Sequence, residues 1–424
     1  MDSAVTAVAP PTTRFGFGRH LALASFWFGI NFHWIPILPV LLPYQVSQLL
    51  PRYSQGRGLA LLFGLGAVFA ALLPPLVGAY SDRLHTRWGR RSPIMAIGTA
   101  INVAGLLILM LAPSYAVLLA GYLVIQISNN AAGAAFNGVV PDVVPEAQFG
   151  KASGVLGAMV QLGSVAGLGA TLVMSRVFGH IEWTYAVMAA VITLSLLPTL
   201  AAARGEGAEP PPPRVALPFR AALGSFLAPL RGGDFAWVIY TRTMVTAGIW
   251  CLLPILQFFF RDVVGVSRPA DFTSLWELLL LLAATPFGLA GGWVSDRLGR
   301  KPFVYASGAV MSVVVLLFTV FYPTSQPLVL LAGVLFGIGY GLYYAVDWAL
   351  ACATLPDRAH VAKDMGLFHV ALTVPQVFVP FLAGFALDLF NQRSPNSGYR
   401  VVLGAAAVFY VLGTVFVSRI RSVR

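Results

Sequence analysis

The chain has 424 residues, of which 58% are hydrophobic and 10% are charged, whereas roughly 25% of the residues in a soluble domain are charged. Because the hydrophobic residues fall in blocks of about 20, the length that spans a bilayer, the composition excludes a disordered chain, a coiled coil and a water-soluble enzyme. The net charge of +11 is typical of a membrane protein with basic cytoplasmic loops, so we expect a lipid bilayer and no nucleic acid as partner.

We predict an all-α membrane protein with twelve transmembrane helices, because twelve apolar blocks alternate with polar loops. The first six spans are expected at residues 20–42, 59–80, 93–111, 115–139, 153–174 and 183–202. The other six are expected at residues 235–260, 272–294, 303–321, 328–351, 365–389 and 399–417. No cleavable signal peptide is apparent at the start, so we expect the first span to serve as the insertion signal.

One long polar connection divides the chain into two bundles of six helices. It contains the run from Pro210 to Pro213, which is typical of a stiff linker. The predicted division is an N-terminal tail at 1–19, a bundle at 20–202, a linker at 203–234, a second bundle at 235–418 and a tail at 419–424. Most of the 27 lysines and arginines lie on the side of the tails and linker. The positive-inside rule therefore predicts cytoplasmic termini in a plasma or inner cell membrane.

Two loops at equivalent positions of the two halves carry the same polar pattern. The loop after the second span contains Gly78, Asp82, Arg83, Gly89, Arg90 and Arg91. The loop after the eighth span contains Gly292, Asp296, Arg297, Gly299, Arg300 and Lys301. The loops after the fourth and tenth spans also match, with Pro-Asp pairs that end at Asp142 and Asp357. This repetition indicates internal duplication, and it predicts a substrate site between the halves near the midplane.

The repeated loops have a physical interpretation as a gate. Asp82 and Asp296 can accept hydrogen bonds from arginines and from a helix N-terminus, and Gly89 and Gly299 allow a tight turn. We interpret the pattern as a latch that holds one conformational state. The alternative is simple anchoring of the loops by their positive charge.

These paired loops resemble the signature loops of the major facilitator superfamily. The extended form of the first loop, at 81–93, resembles the glycoside–pentoside–hexuronide:cation symporters and is closest to the sucrose:proton symporter branch. The stretch from Phe28 to Tyr44, which begins within the first span, and the pair Asn129-Asn130 in the fourth span are similar to the same branch. The resemblance implies the major facilitator fold, with two pseudo-symmetric six-helix bundles, and a sugar as cargo.

The resemblance breaks at the positions that the branch uses for proton coupling. Its aspartate three residues before the Asn-Asn pair corresponds to Gln126, and its arginine seven residues after the pair corresponds to Asn137. The second span also has no acidic residue at the place where sodium-coupled relatives hold their cation. The resemblance therefore implies sugar transport but leaves the usual coupling positions empty.

Polar side chains inside the predicted spans are candidates for binding the substrate. In the fourth span they recur at helical spacing and share one face, which must avoid lipid. The predicted substrate contacts are Asn31, Trp34, Tyr122, Gln126, Asn129, Asn130, Tyr340, Tyr344 and Gln376. Amides suit hydroxyl-rich ligands, and aromatic faces can stack on a sugar ring. The alternatives are hydrogen bonds that hold helices together and an aromatic packing seam.

Arg242 and Asp347 are the strongest candidates for the residues that couple transport to a proton. Both are expected two to three turns from the cytoplasmic ends of their spans, where a lone charge is costly, so we predict an ion pair. If Asp347 carries the coupling proton, Asp347→Asn should abolish uphill accumulation and spare exchange; the alternative is a static structural bridge. His369 is a further candidate because histidine titrates near neutral pH, whereas Glu277 is expected on the wetted outer rim.

The sequence contains no metal-binding cluster, nucleotide-binding loop or nucleophile constellation, so we expect neither an enzyme nor a cofactor. We predict a monomeric secondary active transporter that works by alternating access and moves a sugar or glycoside, together with a proton. One alternative is a facilitator or exporter of another small molecule, such as a drug or metabolite. An alternative of another class is a non-transporting membrane sensor or assembly factor with the same fold.

Overall fold

The structure is a computed structural model that describes residues 15–84, 86–204, 224–356 and 361–423. Three sequence predictions fall outside these residues. They concern the start of the N-terminal tail, the run Pro210 to Pro213 in the linker, and Asp357 of the second Pro-Asp pair.

Twelve helices in the described residues are long and apolar enough to cross a membrane, as predicted. The N-terminal half contains α1 (Phe17–Leu49), α2 (Gln55–Ser81), α3 (Ser92–Met110), α4 (Tyr115–Val143), α5 (Phe149–Arg176) and α6 (Thr184–Ala202). The C-terminal half contains α7 (Asp234–Val264), α8 (Pro269–Leu298), α9 (Lys301–Phe321), α10 (Gln326–Ala353), α11 (Val361–Arg393) and α12 (Ser397–Val415).

The first helix of each half is irregular at an equivalent depth. In α1 the segment Ile37–Leu41 forms a π-helical turn around Pro39, and in α7 the segment Leu253–Ile255 forms a 3-10 turn around Pro254. Proline has no backbone N–H, so a local change of helical pitch accommodates it. Because the π turn keeps α1 helical through its prolines, the first span ends at Leu49 and not at residue 42, where the sequence prediction ended it.

Small residues allow the helices of the first half to pack closely. On α5, an added Cβ at Gly163 or Gly167 would collide with the backbone carbonyls of Phe28 and Phe32 on α1. Gly169, on the same helix, has open space at the Cβ position. The close contact between α1 and α5 therefore depends on the two glycines that face α1, and not on the other glycines of α5.

We expect Gly167→Ala to lower the free energy of unfolding by about 1 to 3 kcal/mol, because the new methyl group must push α5 away from α1. Gly169→Ala is the matched control, and it should be neutral or stabilising by up to about 1 kcal/mol through helix propensity. Thermal unfolding of the two purified variants in detergent measures the difference. Equal melting temperatures would contradict the close contact.

The two halves meet along α2 with α11 and along α5 with α8. We call the membrane side at which α1 begins and α12 ends the inner side, and the opposite side the outer side. Near the outer end, Asp388 of α11 accepts hydrogen bonds from the backbone N–H groups of Gly56 (3.0 Å) and Arg57 (2.7 Å) at the start of α2. Arg176 of α5 pairs with Asp271 of α8 at 2.5 Å. These contacts seal the outer end.

The inner half of α2 lacks such packing. None of its described side chains at residues 71–80 is buried, and Leu72, Leu76 and Tyr80 are exposed. The corresponding part of α8 also has an exposed face, with Leu289 and Trp293, although Gly291 and Ser295 are buried. Since the outer halves of the same helices are largely buried, the two bundles diverge toward the inner side, and the structure is open at that end.

Candidate substrate cavity

A cavity of about 230 Å³ lies between the halves, just inside the outer seal. The irregular turns of α1 and α7 contact each other there and contribute Leu38, Pro39, Leu253 and Pro254 to its wall. Its other aromatic and polar lining residues are Trp34, Trp250, Glu277, Phe336, Tyr340, Tyr344 and Gln376. The cavity thus lies between the two bundles, where the internal repeat predicts a substrate site.

A second cavity, of about 30 Å³, lies toward α4. It shares Trp34, Leu38, Trp250 and Gln376 with the larger cavity, and it adds Tyr122 and Gln126. The two cavities are therefore adjacent and share part of their wall. A rotation of Trp34 or Trp250 would join them, so we consider them one site.

The predicted polar face of α4 forms a chain of hydrogen bonds. The Gln126 amide donates to the Tyr122 hydroxyl at 2.7 Å, and the Asn130 amide donates to the Gln126 side-chain oxygen at 2.9 Å. Trp34 of α1 stacks on Tyr122 with ring centroids 6.5 Å apart and planes 10° apart. These contacts hold the Gln126 amide at the wall of the smaller cavity, where it can also bond to a ligand.

Three of the predicted substrate contacts do not line either cavity. Asn31 donates to the carbonyl oxygen of Trp27, one turn earlier on α1, at 2.8 Å, so its amide is engaged by its own helix. Asn130 reaches the site only through its bond to Gln126. Asn129 lies beside it, and its side-chain oxygen is buried without a hydrogen-bond partner in the described part of the chain. In this conformation these three asparagines lie outside both cavities, and their role as substrate contacts stays a prediction.

On the other side of the site, α10 presents a pair of tyrosines. Tyr340 and Tyr344 both line the larger cavity, and their ring centroids lie 4.6 Å apart. Tyr343 points elsewhere and donates to the Asp347 carboxylate at 3.1 Å. Gln376 of α11 lines both cavities. The sequence thus identified three of the polar or aromatic positions on the C-terminal wall.

Arg242 of α7 and Asp347 of α10 form the ion pair that their depth suggests. Both are buried, with 7% and 3% of their surfaces exposed. The Arg242 guanidinium also lies over the Phe368 ring of α11, 3.8 Å from the centroid, a cation–π geometry. His369, next in the chain, is exposed and does not line either cavity. The pair therefore ties together three helices of the C-terminal half.

Glu277 of α8 is the residue for which the sequence prediction was most clearly wrong. It is only 6% exposed, it lines the larger cavity, and its Oε1 atom has no hydrogen-bond partner among the described residues. The prediction placed it on the outer rim by its distance from the expected start of the span. Because α8 begins at Pro269 and the halves close over its first turns, Glu277 lies inside the seal.

The repeated loops differ in their surroundings. In the first loop, Arg91 donates to Asp82 at 3.3 Å and to Asp142 at 2.8 Å, and Arg90 donates to Asp142 at 3.1 Å. Gly89 has a φ of 100°, the left-handed conformation that a tight turn requires of glycine. This loop forms a partly buried network between the ends of α2, α3 and α4.

The second loop is looser. Gly299 has a φ of 90°, but Asp296 is 69% exposed in its side chain and lies 3.9 Å from Arg300. Arg300 donates instead to the carbonyl oxygen of Ala349 on α10 at 2.5 Å. Arg297 lies over the Trp293 ring of its own helix, 4.2 Å from the centroid. The pattern repeated in the sequence thus produces one charge network and one loop held mainly by a backbone contact.

Comparison with known proteins agrees with this architecture. A family model described as the Major Facilitator Superfamily matches residues 20–284 and 243–424. The MFS transporter asaE of Aspergillus flavus is 25% identical over 395 residues, which cover 93% of this chain and 84% of that protein. A Na⁺, Li⁺, K⁺/H⁺ antiporter of Planococcus maritimus is 22% identical over 172 residues, 40% of this chain and 38% of that protein.

Solved structures share the fold at low sequence identity. The nucleoside transporter NupG, in a mutant form, superposes with a TM-score of 0.73 at 13% identity, covering 96% of this chain and 100% of that chain. A bacterial homologue of the human lysosomal transporter Spinster, inward-facing and unoccupied, superposes with a TM-score of 0.70 at 16% identity, covering 95% and 98%.

Proposed function

The chain belongs to the major facilitator superfamily, and on that basis we propose that it is a secondary active transporter that moves a sugar or glycoside together with a proton. The observation that carries the proposal is the cavity between the halves, which combines aromatic faces, amides and one carboxyl group inside the outer seal. The likeness of the 81–93 loop to that of the sucrose:proton symporters also supports a sugar.

The side chains of the cavity suit a ring that carries hydroxyl groups. The flat apolar side of a sugar can stack on Trp34 or Trp250, and its hydroxyls can bond to the Gln126 and Gln376 amides, which both donate and accept. The aliphatic wall, with Leu253 among its residues, suits a less polar aglycone. A glycoside would therefore match both parts of the site.

In alternating access, the outer end of the protein would open and the inner end would close. The outer contacts at Asp388 and Asp271 would break, and the inner ends of the bundles, now apart, would close. In our proposal the charge network around Arg91 is the latch of the N-terminal half, and it acts when the inner ends meet. We further propose that the inner side is the cytoplasm and that the protein functions in the cell membrane, since most basic residues lie there.

A second candidate is transport of a more apolar small molecule, as a facilitator or exporter. The specific observation in its favour is the aliphatic part of the lining, which includes Ile249, Leu280, Leu281 and Leu372. Apolar walls with few polar groups are typical of sites for drug-like ligands.

Transport into proteoliposomes tests these alternatives. Purified protein would be offered a panel of radiolabelled monosaccharides, disaccharides and aryl glycosides, and in parallel nucleosides and apolar amines, with and without an imposed pH gradient. We expect accumulation of a sugar or glycoside above its external concentration only when a pH gradient is imposed. Flux of another compound class without flux of any sugar would overturn the proposal that the cargo is a sugar. Flux that does not depend on the pH gradient would overturn the proposal that transport is coupled to a proton.

A further inference from the structure

We propose that the carboxyl group of Glu277 is the site that binds and releases the coupled proton. The inference rests on the proposed function for the existence of proton coupling, but the assignment to Glu277 rests on the geometry of the cavity. Among the described residues that line the two cavities, Glu277 alone carries an acidic side chain, and none carries a basic one.

The first argument is the isolation of the carboxyl group. Glu277 is more than nine-tenths buried, and its Oε1 atom has no hydrogen-bond partner in the described structure. A carboxylate buried without a counter-charge costs roughly several kcal/mol relative to water, whereas the neutral acid avoids most of that cost. In this buried position Glu277 is therefore most stable with a proton bound.

The second argument is the set of groups around it. From α10, Tyr340 and Tyr344 share its cavity; from α1 and α11, Trp34 and Gln376 do so. All four are neutral groups that can donate a hydrogen bond to the carboxyl but cannot balance a negative charge. A metal cation is a poor alternative, because hard cations such as Ca²⁺ take roughly six to eight oxygen ligands and these side chains offer too few.

The arginines on the helices around the cavity are already engaged. The arginine–carboxylate pairs of α7 and α8 include Arg176 with Asp271, Arg261 with Asp262 and Arg242 with Asp347. The first two lie at the outer end of the helices, and the third lies about two helical turns inward of Trp250 on α7. A carboxylate that already has an arginine gains little from a proton, so these groups are weaker carriers than Glu277.

The position also connects the proton to the conformational cycle. Glu277 lies directly inside the outer seal, on one of the helices that form it. When the outer end opens, water reaches the carboxylate, and an O–H bond forms with a proton from the outer solution. In the structure the inner ends of the bundles are apart, but Glu277 is still buried. When water from the inner side fills the cavity, the O–H bond breaks, and the proton passes to that water. A bound substrate displaces water from the cavity, so the loaded protein changes state only with the proton bound. After both are released, the ionised carboxylate stays hydrated in the vacant cavity while the empty protein returns, and one proton crosses with each substrate.

Infrared difference spectroscopy on the full-length protein in lipid bilayers tests the assignment directly, with the pH of the buffer as the only probe. The wild type should show a C=O stretching band of a carboxylic acid that disappears as pH rises and shifts in D₂O. Glu277→Gln should lack this band while keeping the wild-type fold, because the amide reproduces the size and neutrality of the protonated acid. The control Glu146→Gln, on an exposed loop of the inner side, should keep it.

The same variants are then compared in transport. Glu277→Gln should reduce pH-driven accumulation to the equilibrium ratio of one and retain exchange of internal for external substrate, and Glu146→Gln should match the wild type. Glu277→Asp, which retains a proton-binding group, should restore at least part of the pH dependence and of the infrared band.

Each result bears on the assignment. An unchanged band in Glu277→Gln would overturn it, as would full uphill accumulation by that variant. A wild-type carboxylate that stays ionised at every pH would also overturn it and would indicate a site for a cationic ligand. If no sugar is transported but the band is lost in Glu277→Gln, the cargo proposal fails and the proton site stands.

Discussion

Asp347→Asn is expected to lower the free energy of unfolding by about 3 to 5 kcal/mol. The substitution removes the negative partner of Arg242 and leaves its guanidinium buried between α7, α10 and α11, against the Phe368 ring, without that carboxylate. Removing one partner of a buried ion pair leaves an uncompensated charge, which costs much more than replacing both partners by neutral side chains. Thermal unfolding of the purified variant in detergent measures the loss.

The double variant Arg242→Gln/Asp347→Asn is the control, because it removes both charges and keeps similar side-chain volumes. It should recover most of the lost stability. If the single variant is as stable as the wild type, Arg242 is not buried as a charge, which contradicts the ion pair. The double variant also separates the two coupling hypotheses. Uphill transport by a folded double variant would place the proton elsewhere, as Glu277 requires, whereas restriction to exchange would favour the pair.

Gly384→Val is expected to hold the outer end open and to abolish both uphill transport and exchange. A side chain at Gly384 of α11 would collide with the backbone carbonyl of Gly56 on α2, so the two helices could not approach at the outer seal. The neighbouring bonds from Gly56 and Arg57 to Asp388 would break with it. Closure of that end is a required step of alternating access.

Access from the outer solution measures this effect. With the two native cysteines replaced, a cysteine at Leu253, which lines the cavity, should react with a membrane-impermeant maleimide in Gly384→Val and be protected in the parent. Gly366→Val on the same helix is the matched control, since its nearest neighbour, a Phe226 ring carbon, is 3.6 Å from the new Cβ. Equal protection of Leu253→Cys in both valine variants would contradict a glycine-dependent seal.

Several features of the site could be predicted from sequence because their cause is local. The spacing of Tyr122, Gln126 and Asn130 places them on one helical face, and the bonds between them run along that face. Arg242 and Asp347 could be matched because both lie at similar depth from the same membrane surface. The conformations of Gly89 and Gly299 follow from the tight turns in which they lie.

Other features could not be predicted, since they depend on which helices meet. Asn31 is engaged by its own helix, although its spacing from Trp34 suggests a shared interior. Asp296 and Asp82 occupy equivalent sequence positions, but only Asp82 is drawn into a charge network, because Arg91 bridges it to Asp142. The repeated sequence pattern gives both loops the same order of residues, but it does not determine which side chains these residues contact in the folded protein.

The sequence by itself determined that this is a membrane protein of twelve helices in two related halves and that it resembles the major facilitator superfamily. These properties follow from composition, period and repetition along the chain. Only the tertiary structure decided that the outer end is sealed, that the inner end is open, and that Glu277 lies in the cavity between the halves with its Oε1 atom unpartnered among the described residues. The physical reason is that the free energy of a charged group in the membrane depends on the groups around it. The groups around Glu277 come from helices that are far apart in the chain.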